Sequence, residues 1–301
     1  MNNDFIKVGD RITLSPKGLN YDLKKGKVYN LKYERYEGYS YLEIDGHLTV
    51  PSKIYSSKQE DALIDRTLSY FNKYNKSVGV LLEGLKGSGK TLTCKRIANK
   101  SELPIIVIDE TYPSVKLVEF FTKINTDVVV ILDEVEKNKN WYSEDLLSFL
   151  DGVQDTCKKI VLMTCNESTK LSDYLKDRCS RVRYLMHFDG LSDEMIRRVI
   201  DDKLGDSNRC ESVFNFISSN FETKSYDNVI EFINEIKTFP EEDYNELAKL
   251  MNINTIDENV DIYNRNRKTS EREDESVEQV SKYESDPICD KCREGVACCR
   301  C

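Results

Sequence analysis

A glycine-rich segment of this sequence carries the residue types that bind phosphate groups. Residues Gly84 to Thr91 follow the pattern G-x-x-x-x-G-K-[ST], directly after the apolar run Val78–Leu82 and directly before a segment with helical periodicity. Glycines allow backbone N–H groups to turn inward around a phosphate, and the N-terminus of the next helix adds positive potential. Lys90 would neutralise β- and γ-phosphate charge, and the Thr91 hydroxyl would complete the shell of a Mg²⁺ ion. The predicted phosphate-binding residues are Gly84, Gly87, Ser88, Gly89, Lys90 and Thr91.

Two adjacent carboxylates follow the most apolar run of the sequence. Asp133 and Glu134 come directly after Val128–Leu132, at the carboxyl end of a predicted strand, where open α/β sheets bind their ligands. Asp133 would hold Mg²⁺ through its water shell, and Glu134 would polarise a water molecule that attacks the γ-phosphate. A carboxylate pair alone is a weak signal. Downstream of a phosphate-binding loop, it predicts hydrolysis of a nucleotide.

Polar residues end the next predicted strand and precede the one after it. Asn166 could position the attacking water between Glu134 and the γ-phosphate, or it could simply begin a turn. Arg178 and Arg181 precede the last apolar run, at 182–185. They could reach a phosphate bound by a neighbouring copy of the chain, as an arginine finger, or they could be ordinary solvated arginines.

The elements that must position these residues alternate between strands and helices. A helix is predicted over about residues 59–75, and five short apolar runs follow it. Runs this short and continuous suit strands that are covered on both faces, and the segments between them have helical length and periodicity. The pattern predicts a parallel α/β sheet. The five runs span residues 78–82, 105–108, 128–132, 160–163 and 182–185.

The first 57 residues have a different texture, with short alternating segments separated by tight-turn signals. This pattern predicts a small all-β domain of barrel type. Seven of the 17 tyrosines lie between residues 4 and 56, together with nine Lys or Arg and seven Asp or Glu. Interleaved aromatic and basic residues could stack on single-stranded nucleic acid. The alternatives are ordinary strand packing and docking of a protein.

Beyond residue 190 the pattern is helical only, and then it ends. Ser192 is a predicted helix start, and further helices over about 211–220, 226–237 and 241–250 predict a helical lid. From residue 253 the apolar periodicity is lost, which predicts a disordered acidic linker that ends in a Cys-rich tail. The predicted domains are an all-β domain (1–57), an α/β core (58–190), a helical lid (191–252), and a linker with its tail (253–301).

Five of the ten cysteines are packed into the last 13 residues. Cys289 and Cys292 form a C-x-x-C pair, and with two thiols further on they could complete a tetrahedral Zn²⁺ site. Redox-active or merely exposed thiols are the alternatives. The other five cysteines are scattered singly, which suits a reducing compartment. The candidate zinc ligands are Cys289, Cys292, Cys298 and Cys301.

Charge and hydropathy exclude some classes of protein. The 301 residues include 44 Lys or Arg and 53 Asp or Glu, and the formal charge of −9 argues against indiscriminate coating of nucleic acid. No apolar stretch approaches the roughly 18 residues that span a bilayer, and the first residues lack the features of a signal peptide. We therefore expect a cytoplasmic protein with no membrane partner.

Taken together, the order of these motifs resembles the AAA+ ATPases over about residues 59–250. The passages 146–152 and 160–166 are similar to the AAA clade in its narrow sense, especially to its subgroup typified by the mitochondrial Rieske-protein translocase. The resemblance implies a P-loop NTPase fold with a helical lid. Residue by residue, it assigns Walker A to Gly84, Gly89, Lys90 and Thr91, Walker B to Asp133 and Glu134, sensor 1 to Asn166, and the paired arginines of the second region of homology to Arg178 and Arg181.

The same resemblance implies an ATP hydrolase that forms a ring, usually a hexamer, with ATP and Mg²⁺ at each subunit junction. Its output would be the remodelling or translocation of a macromolecular target, with a protein as the favoured class. The chain departs from the family in two places. The stretch Tyr226–Glu231 offers no sensor-2 arginine. The short interval between residues 108 and 128 predicts that an aromatic pore loop is short or absent, with Tyr112 as the one candidate, and this argues against the threading of a peptide.

Two alternative functions stay open. One is a DNA-replication accessory ATPase of the clamp-loader or helicase-loader type, which would contact nucleic acid through the N-terminal domain. It is suggested by Asp177-Arg178-Cys179, which is similar to the arginine-finger motif of clamp loaders. The other is an adaptor that binds ATP only as a scaffold, and the intact Asp133-Glu134 pair weighs against it.

Overall fold

The structure, a computed structural model, describes residues 5–8, 10–14, 21–109, 111–137, 143–152, 156–166, 178–205, 209–240 and 243–256. The candidate zinc ligands of the tail lie outside these residues. Cysteines 94, 157, 165, 179 and 210, which lie inside them, form no disulfide bond. No helix in the described part of the chain is both long and apolar enough to cross a membrane.

Nine strands of the described residues share one sheet. Their bounds are β1 Phe5–Val8, β2 Arg11–Leu14, β3 Val28–Glu34, β4 Tyr39–Gly46, β5 Val78–Gly84, β6 Ile105–Ile108, β7 Val128–Leu132, β8 Lys159–Cys165 and β9 Tyr184–Phe188. The order across the sheet is β1-β2-β4-β3-β6-β7-β8-β5-β9. The first strand of the predicted core, β5, therefore lies between the last two, β8 and β9.

The strands from β5 to β9 confirm the predicted parallel sheet. Their side chains alternate between two buried clusters: Val80 and Leu82 pack on one face, and Leu81 packs on the other. Burial on both faces explains why these strands are continuous apolar runs. The chain that leaves β5 crosses to the distant β6, so the winding of the sheet reverses next to β5. Ligands of open α/β sheets bind at such a reversal, at the carboxyl ends of the strands.

The four N-terminal strands differ from the predicted barrel. They pair with one another in antiparallel fashion, but β3 also pairs in parallel with β6, with Leu31 opposite Ile108. These strands therefore extend the core sheet and do not close on themselves. The physical reason is burial, because Tyr29, Leu31 and Leu42 are fully buried in the same cluster as side chains of the core strands. The division of the chain into four domains stays a prediction.

Eight α-helices accompany the sheet in the described residues. Their bounds are α1 Lys58–Tyr74, α2 Lys90–Ser101, α3 Val115–Phe121, α4 Ser143–Asp151, α5 Asp193–Leu204, α6 Cys210–Asn220, α7 Tyr226–Thr238 and α8 Tyr244–Leu250. Capping residues explain several ends: Ser57 forms a capping box with Glu60 at the start of α1, and Ser192 caps α5, which ends at Gly205. A short 3₁₀ helix, Val135–Lys137, follows β7.

Helices cover both faces of the core sheet. Ile97 of α2 packs on one face, whereas Phe121 of α3 and Phe149 of α4 pack on the other. Tyr112, the candidate for a pore loop, is also part of this packing, since it is 1% exposed and its hydroxyl lies 2.8 Å from Ser40 Oγ. Burial raises its pKa to about 12. A buried Tyr112 is not available to grip a substrate, which removes the one candidate for an aromatic pore loop.

The chain separates into two compact units. The first holds Met1–Phe214 and Thr223–Pro240, and thus the whole sheet and helix α7. The second holds Asn215–Glu222 and the described residues after Pro240. Within the second unit, the rings of Phe216 and Tyr244 lie 5.4 Å apart between centroids. The residues of the candidate site all belong to the first unit.

Candidate active site

The glycine-rich segment lies at the carboxyl end of β5 and turns directly into α2. Gly84 has a φ of +130°, and a Cβ at this position would lie 2.2 Å from the carbonyl oxygen of Phe188 on β9, so only glycine fits. Gly89 caps α2 with a φ of +100° and makes no side-chain capping bond. The first N–H groups of α2 can therefore face an anion. The Ser88 hydroxyl donates to the carbonyl of Leu85 at 2.6 Å, which closes the loop.

Lys90 is folded back over this loop. The side chain is 6% exposed, and its ammonium group donates to the carbonyl oxygens of Gly84 at 2.8 Å and Leu85 at 2.6 Å. Burial lowers the pKa of Lys90, and the nearby carboxylates of Glu136 and Asp133 partly oppose this shift. The loop thus holds a poorly solvated cation that a phosphate group would neutralise through charge-assisted hydrogen bonds.

The carboxylates Asp133 and Glu134 follow β7 and lie beside the loop, as predicted. The Thr91 hydroxyl donates to Asp133 Oδ1 at 3.2 Å, and the Thr164 hydroxyl, on β8, donates to the same oxygen. The backbone N–H of Glu134 donates to Thr164 Oγ1 at 2.8 Å. Because β8 lies between β5 and β7 in the sheet, its last residues face both the loop and the carboxylates.

The side chain of Glu134 contacts both Asn166 and Lys137. Asn166 Nδ2 donates to Glu134 Oε1 at 2.8 Å, and Lys137 forms an ion pair with the other carboxylate oxygen. Lys137, and then Asn166, hold the pKa of Glu134 below its usual range. At neutral pH this carboxylate is ionised and can accept a proton from water.

Glu136 fixes the orientation of Asn166. Its Oε1 atom accepts hydrogen bonds from the backbone N–H of Asn166 at 2.9 Å and from Nδ2 at 3.0 Å. The sequence pattern did not predict roles for Glu136 or Lys137. The only available signal is that they follow Glu134 within one turn, which the 3₁₀ helix Val135–Lys137 brings back toward the carboxylate.

The oxygen atoms at this place fit a Mg²⁺ ion. Mg²⁺ prefers hard oxygen ligands and is usually bound through one or two carboxylates together with substrate phosphates. The Thr91 hydroxyl and the Asp133 carboxylate, 3.2 Å apart, supply that kind of donor set beside the phosphate-binding loop. Among all the residues that the structure describes, no group of three or more His, Cys, Asp or Glu could hold a metal ion.

The phosphate-binding loop, the two carboxylates and Asn166 line one cavity of about 400 Å³. Besides the loop and the carboxylates, it is lined by Thr49 and Pro51, from the segment after β4, and by Tyr226 and Asp227, from the start of α7. The backbone N–H of Asp227 donates to the carbonyl of Gly87 at 3.2 Å, and burial raises the pKa of the Asp227 carboxyl. The start of α7 therefore touches the loop without offering a sensor-2 arginine, as expected.

A second cavity, of about 190 Å³, lies beside the first. Its lining includes Tyr55 and Tyr226, whose ring centroids are 6.2 Å apart, and the apolar side chains of Leu92 and Met195. The lining also includes polar side chains such as Gln59, Glu60 and Asp189, so the walls offer a flat ring both apolar contact and hydrogen-bonding groups. The two cavities together have room for a phosphate chain and a base.

The two predicted arginines have different surroundings. The N–H groups of Arg181 and Val182 donate to the carbonyl of Arg178 at 2.9 and 3.1 Å, and this turn explains why β9 begins at Tyr184 and not at residue 182. Arg178 is exposed. Arg181 is 9% exposed and binds the Asp151 carboxylate through Nε at 2.8 Å and Nη2 at 2.7 Å. Arg181 is thus held inside its own chain, which corrects the expectation that it reaches a neighbouring copy.

Comparisons with known proteins agree with this architecture. Residues 80–187 match the family described as "ATPase family associated with various cellular activities (AAA)". The structure of the Thermotoga maritima RuvB Holliday junction branch migration motor overlaps with a TM-score of 0.50 at 17% identity, over 65% of this chain and 69% of that chain. A variant of the same protein overlaps with a TM-score of 0.51 at 17% identity, over 66% of this chain and 71% of that chain.

Two further comparisons support no conclusion about this chain. A structure titled "Structural Basis for Katanin Self-Assembly" overlaps with a TM-score of 0.46 at 15% identity, over 63% of this chain and 71% of that chain. A search among curated proteins finds no match.

The matched residues include the strongest features of the site. The range 80–187 runs from β5 to β9 and contains the phosphate-binding loop, both carboxylates, Asn166 and both arginines. The RuvB structures share the fold. Residues 80–187 therefore match an AAA domain, and this part of the chain has a P-loop NTPase fold.

Proposed function

We propose that this chain binds ATP together with Mg²⁺ and hydrolyses it to ADP and phosphate. The observation that carries the proposal is the meeting of Glu134 with Asn166 at 2.8 Å, next to the cavity that Lys90 and Asp133 line. A site that only bound nucleotide would not need an ionised carboxylate held by an amide beside the phosphate loop. This arrangement supports catalysis over an adaptor that uses ATP as a scaffold.

Each residue has a role that follows from its chemistry. The loop N–H groups and Lys90 would bind the β- and γ-phosphates, while Asn166 would orient a water molecule toward the γ-phosphorus. Glu134 would take a proton from that water as the bond from the γ-phosphorus to the bridging oxygen breaks and ADP leaves. When bound, Mg²⁺ would neutralise phosphate charge, with Thr91 and Asp133 as its protein ligands. The cavity beside Tyr55 and Tyr226 would take the base.

Release of phosphate by the purified chain tests this function. We expect release with ATP that depends on Mg²⁺ and stops when EDTA removes the metal. A contaminating phosphatase is excluded because the Lys90→Ala protein, purified in the same way, should release none. Binding of ATP without any phosphate release would leave the adaptor function in its place.

We further propose that the ATP sites lie at the junctions of a ring, in which Arg178 of one subunit contacts the γ-phosphate bound by the next. The support is local: Arg178 is exposed, and the bidentate bond of Arg181 to Asp151 anchors the turn that carries Arg178. The output of such a ring would be the remodelling or translocation of a macromolecule, with a protein as the favoured target.

The two arginines give a matched pair of variants. Arg178→Ala should lower kcat by about 10³-fold, the effect of losing an arginine finger, without changing the free energy of unfolding. Arg181→Ala should instead lower the free energy of unfolding by about 2 kcal/mol in urea titrations, because it leaves the Asp151 carboxylate without its charged partner. If both variants lost only stability, neither arginine would serve the reaction.

Mixing experiments test whether Arg178 acts between subunits. Arg178→Ala protein retains Glu134, and Glu134→Gln protein retains Arg178, so a mixed ring would contain complete junctions. We expect the mixture to hydrolyse ATP faster than the sum of the two inactive proteins. An unchanged rate, with mixed assemblies shown to form, would place the action of Arg178 within its own chain.

The outer face of the N-terminal strands supports a nucleic-acid target less well than a protein target. Tyr39 and Tyr41 lie on this face, and the Arg11 guanidinium lies 4.9 Å from the Tyr41 ring centroid. However, Arg11 lies opposite Glu43, and Lys32 forms an ion pair with a neighbouring aspartate. A surface with balanced charge is a poor match for a phosphate backbone. Stimulation of the ATPase by single-stranded DNA, lost at higher salt, would reverse this preference.

A further inference from the structure

A buried hydroxyl lies between the Asp133 carboxylate and the Glu134 backbone. Thr164, near the end of β8, is 1% exposed. Its Oγ1 atom donates its proton to Asp133 Oδ1 and accepts the backbone N–H of Glu134 at 2.8 Å. One oxygen thus contacts the side chain of the predicted Mg²⁺ ligand and the backbone of the predicted base.

The backbone of Glu134 shows why this contact matters. Glu134 has a φ of +50°, a left-handed conformation that is uncommon for residues with a side chain and persists only where the surroundings hold it. The hydrogen bond from its N–H to Thr164 holds the backbone in that turn. The turn directs the Glu134 side chain toward Asn166, which lies two residues after Thr164 and directly follows the same strand. Strand β8 and the residue that follows it therefore hold both the backbone N–H and the side chain of Glu134.

Other contacts in the site do not replace this one. Thr91 also donates to Asp133 Oδ1, but it belongs to α2, and this hydrogen bond does not involve Glu134. Lys137 and Asn166 hold the Glu134 side chain. The Lys137 N–H donates to the Glu134 carbonyl oxygen at 2.9 Å, whereas Thr164 accepts the Glu134 N–H. The hydroxyl of Thr164 thus joins the Asp133 carboxylate directly to the Glu134 backbone.

We propose that Thr164 is a positioning residue for ATP hydrolysis, which fixes the Mg²⁺ ligand Asp133 and the base Glu134 relative to each other. This inference rests on the proposed function, because it assumes that Asp133 holds the metal and that Glu134 acts on water. Thr164 itself touches neither nucleotide nor water in this role. Loss of its hydroxyl should both raise the Mg²⁺ concentration that the reaction needs and lower kcat, while the affinity for nucleotide without metal is preserved.

The test compares two substitutions that separate the hydroxyl from the shape of the side chain. Thr164→Val keeps the shape and loses both hydrogen bonds, and we expect kcat to fall about 10-fold or more. The Mg²⁺ concentration that gives half-maximal ATPase should rise several-fold, while the Kd for fluorescent ADP in EDTA stays within about twofold of wild type. Thr164→Ser keeps the hydroxyl and should retain kcat within about threefold.

A buried threonine elsewhere provides the matched control. Thr93, on α2, is also 1% exposed, and its hydroxyl donates to Glu60 Oε2 at 3.2 Å. Thr93→Val makes the same chemical change outside the carboxylate pair, so the Mg²⁺ dependence should not move. Thr164→Ala is measured beside Thr164→Val. Thr164→Ala also removes the hydroxyl and adds no contact, so we expect the same fall in kcat and the same rise in the Mg²⁺ requirement. It takes the place of Thr164→Val if the valine variant does not fold.

The outcomes separate this inference from the proposed function. If wild-type protein hydrolyses ATP and Thr164→Val or Thr164→Ala matches its kcat and Mg²⁺ dependence, Thr164 has no positioning role. A serine variant as impaired as the valine variant would show that methyl packing, and not the hydroxyl, is what matters. If wild-type protein released no phosphate, the proposed function itself would fail, before any variant was compared.

Discussion

Replacing Lys90 with alanine is expected to weaken the binding of ATP by at least about 100-fold. The ammonium group of Lys90 already makes two hydrogen bonds to loop carbonyls, at 2.6 and 2.8 Å, and on binding it would exchange them for phosphate oxygens. Each charge-assisted hydrogen bond contributes about 1.5–3 kcal/mol, and about 1.4 kcal/mol corresponds to a tenfold change in Kd. Titration of a fluorescent ATP analogue measures the change directly, and phosphate release should be lost with it.

A second lysine on the same helix controls for the change in charge. Lys100 lies in the last turn of α2, is largely exposed and pairs with Asp65. Lys100→Ala removes the same charge far from the loop, so the Kd should stay within about twofold of wild type. Equal losses of affinity in the two variants would mean that net charge governs binding, and the local role of Lys90 would then be wrong.

The local parts of the fold were predictable because their causes are local. Continuous apolar runs predicted the parallel strands, and the loop from Gly84 to Thr91 has a backbone that only a few sequences allow. The same holds for the helix start at Ser192, where one side chain satisfies a nearby backbone N–H. Such features depend on neighbours within a few residues, so one sequence is enough to show them.

Features set by contacts between distant segments were not predictable in the same way. The alternating texture of the N-terminal strands predicted antiparallel pairing correctly, but only the pairing of β3 with β6 decides that they extend the core sheet. Nothing in the sequence marks Tyr112 as buried, because aromatic residues suit both a loop and a core.

The arginines and Thr164 show the same limit within the site. Arg178 and Arg181 have the same residue type and lie in the same turn, and only the position of Asp151, 30 residues away, separates their surroundings. Thr164 contacts Asp133 and Glu134 because β8 lies next to β7 in the sheet. Strand order is a tertiary property, so hydrogen bonds across strands appear only in the structure.

Replacing Glu134 with glutamine is expected to stop hydrolysis while nucleotide still binds. Glutamine keeps the size of the side chain and an oxygen that can accept from Asn166, which lies 2.8 Å away, but it cannot take a proton from water. Loss of a general base typically costs about 10²–10⁴-fold in rate. We expect kcat, measured by phosphate release, to fall by that amount, with the Kd for ATP within about threefold of wild type.

The same variant reports on assembly, because bound ATP then persists at the proposed junctions. With ATP and Mg²⁺ in excess, light scattering should show a large complex of the Glu134→Gln protein, which falls apart when EDTA removes the metal. Lys137→Met is the control for the local ion pair, since it removes the partner of Glu134 but leaves the carboxylate in place. It should keep measurable hydrolysis. If the Glu134→Gln protein stays monomeric with saturating ATP and Mg²⁺, the ring is wrong, and Arg178 has no neighbouring phosphate to contact.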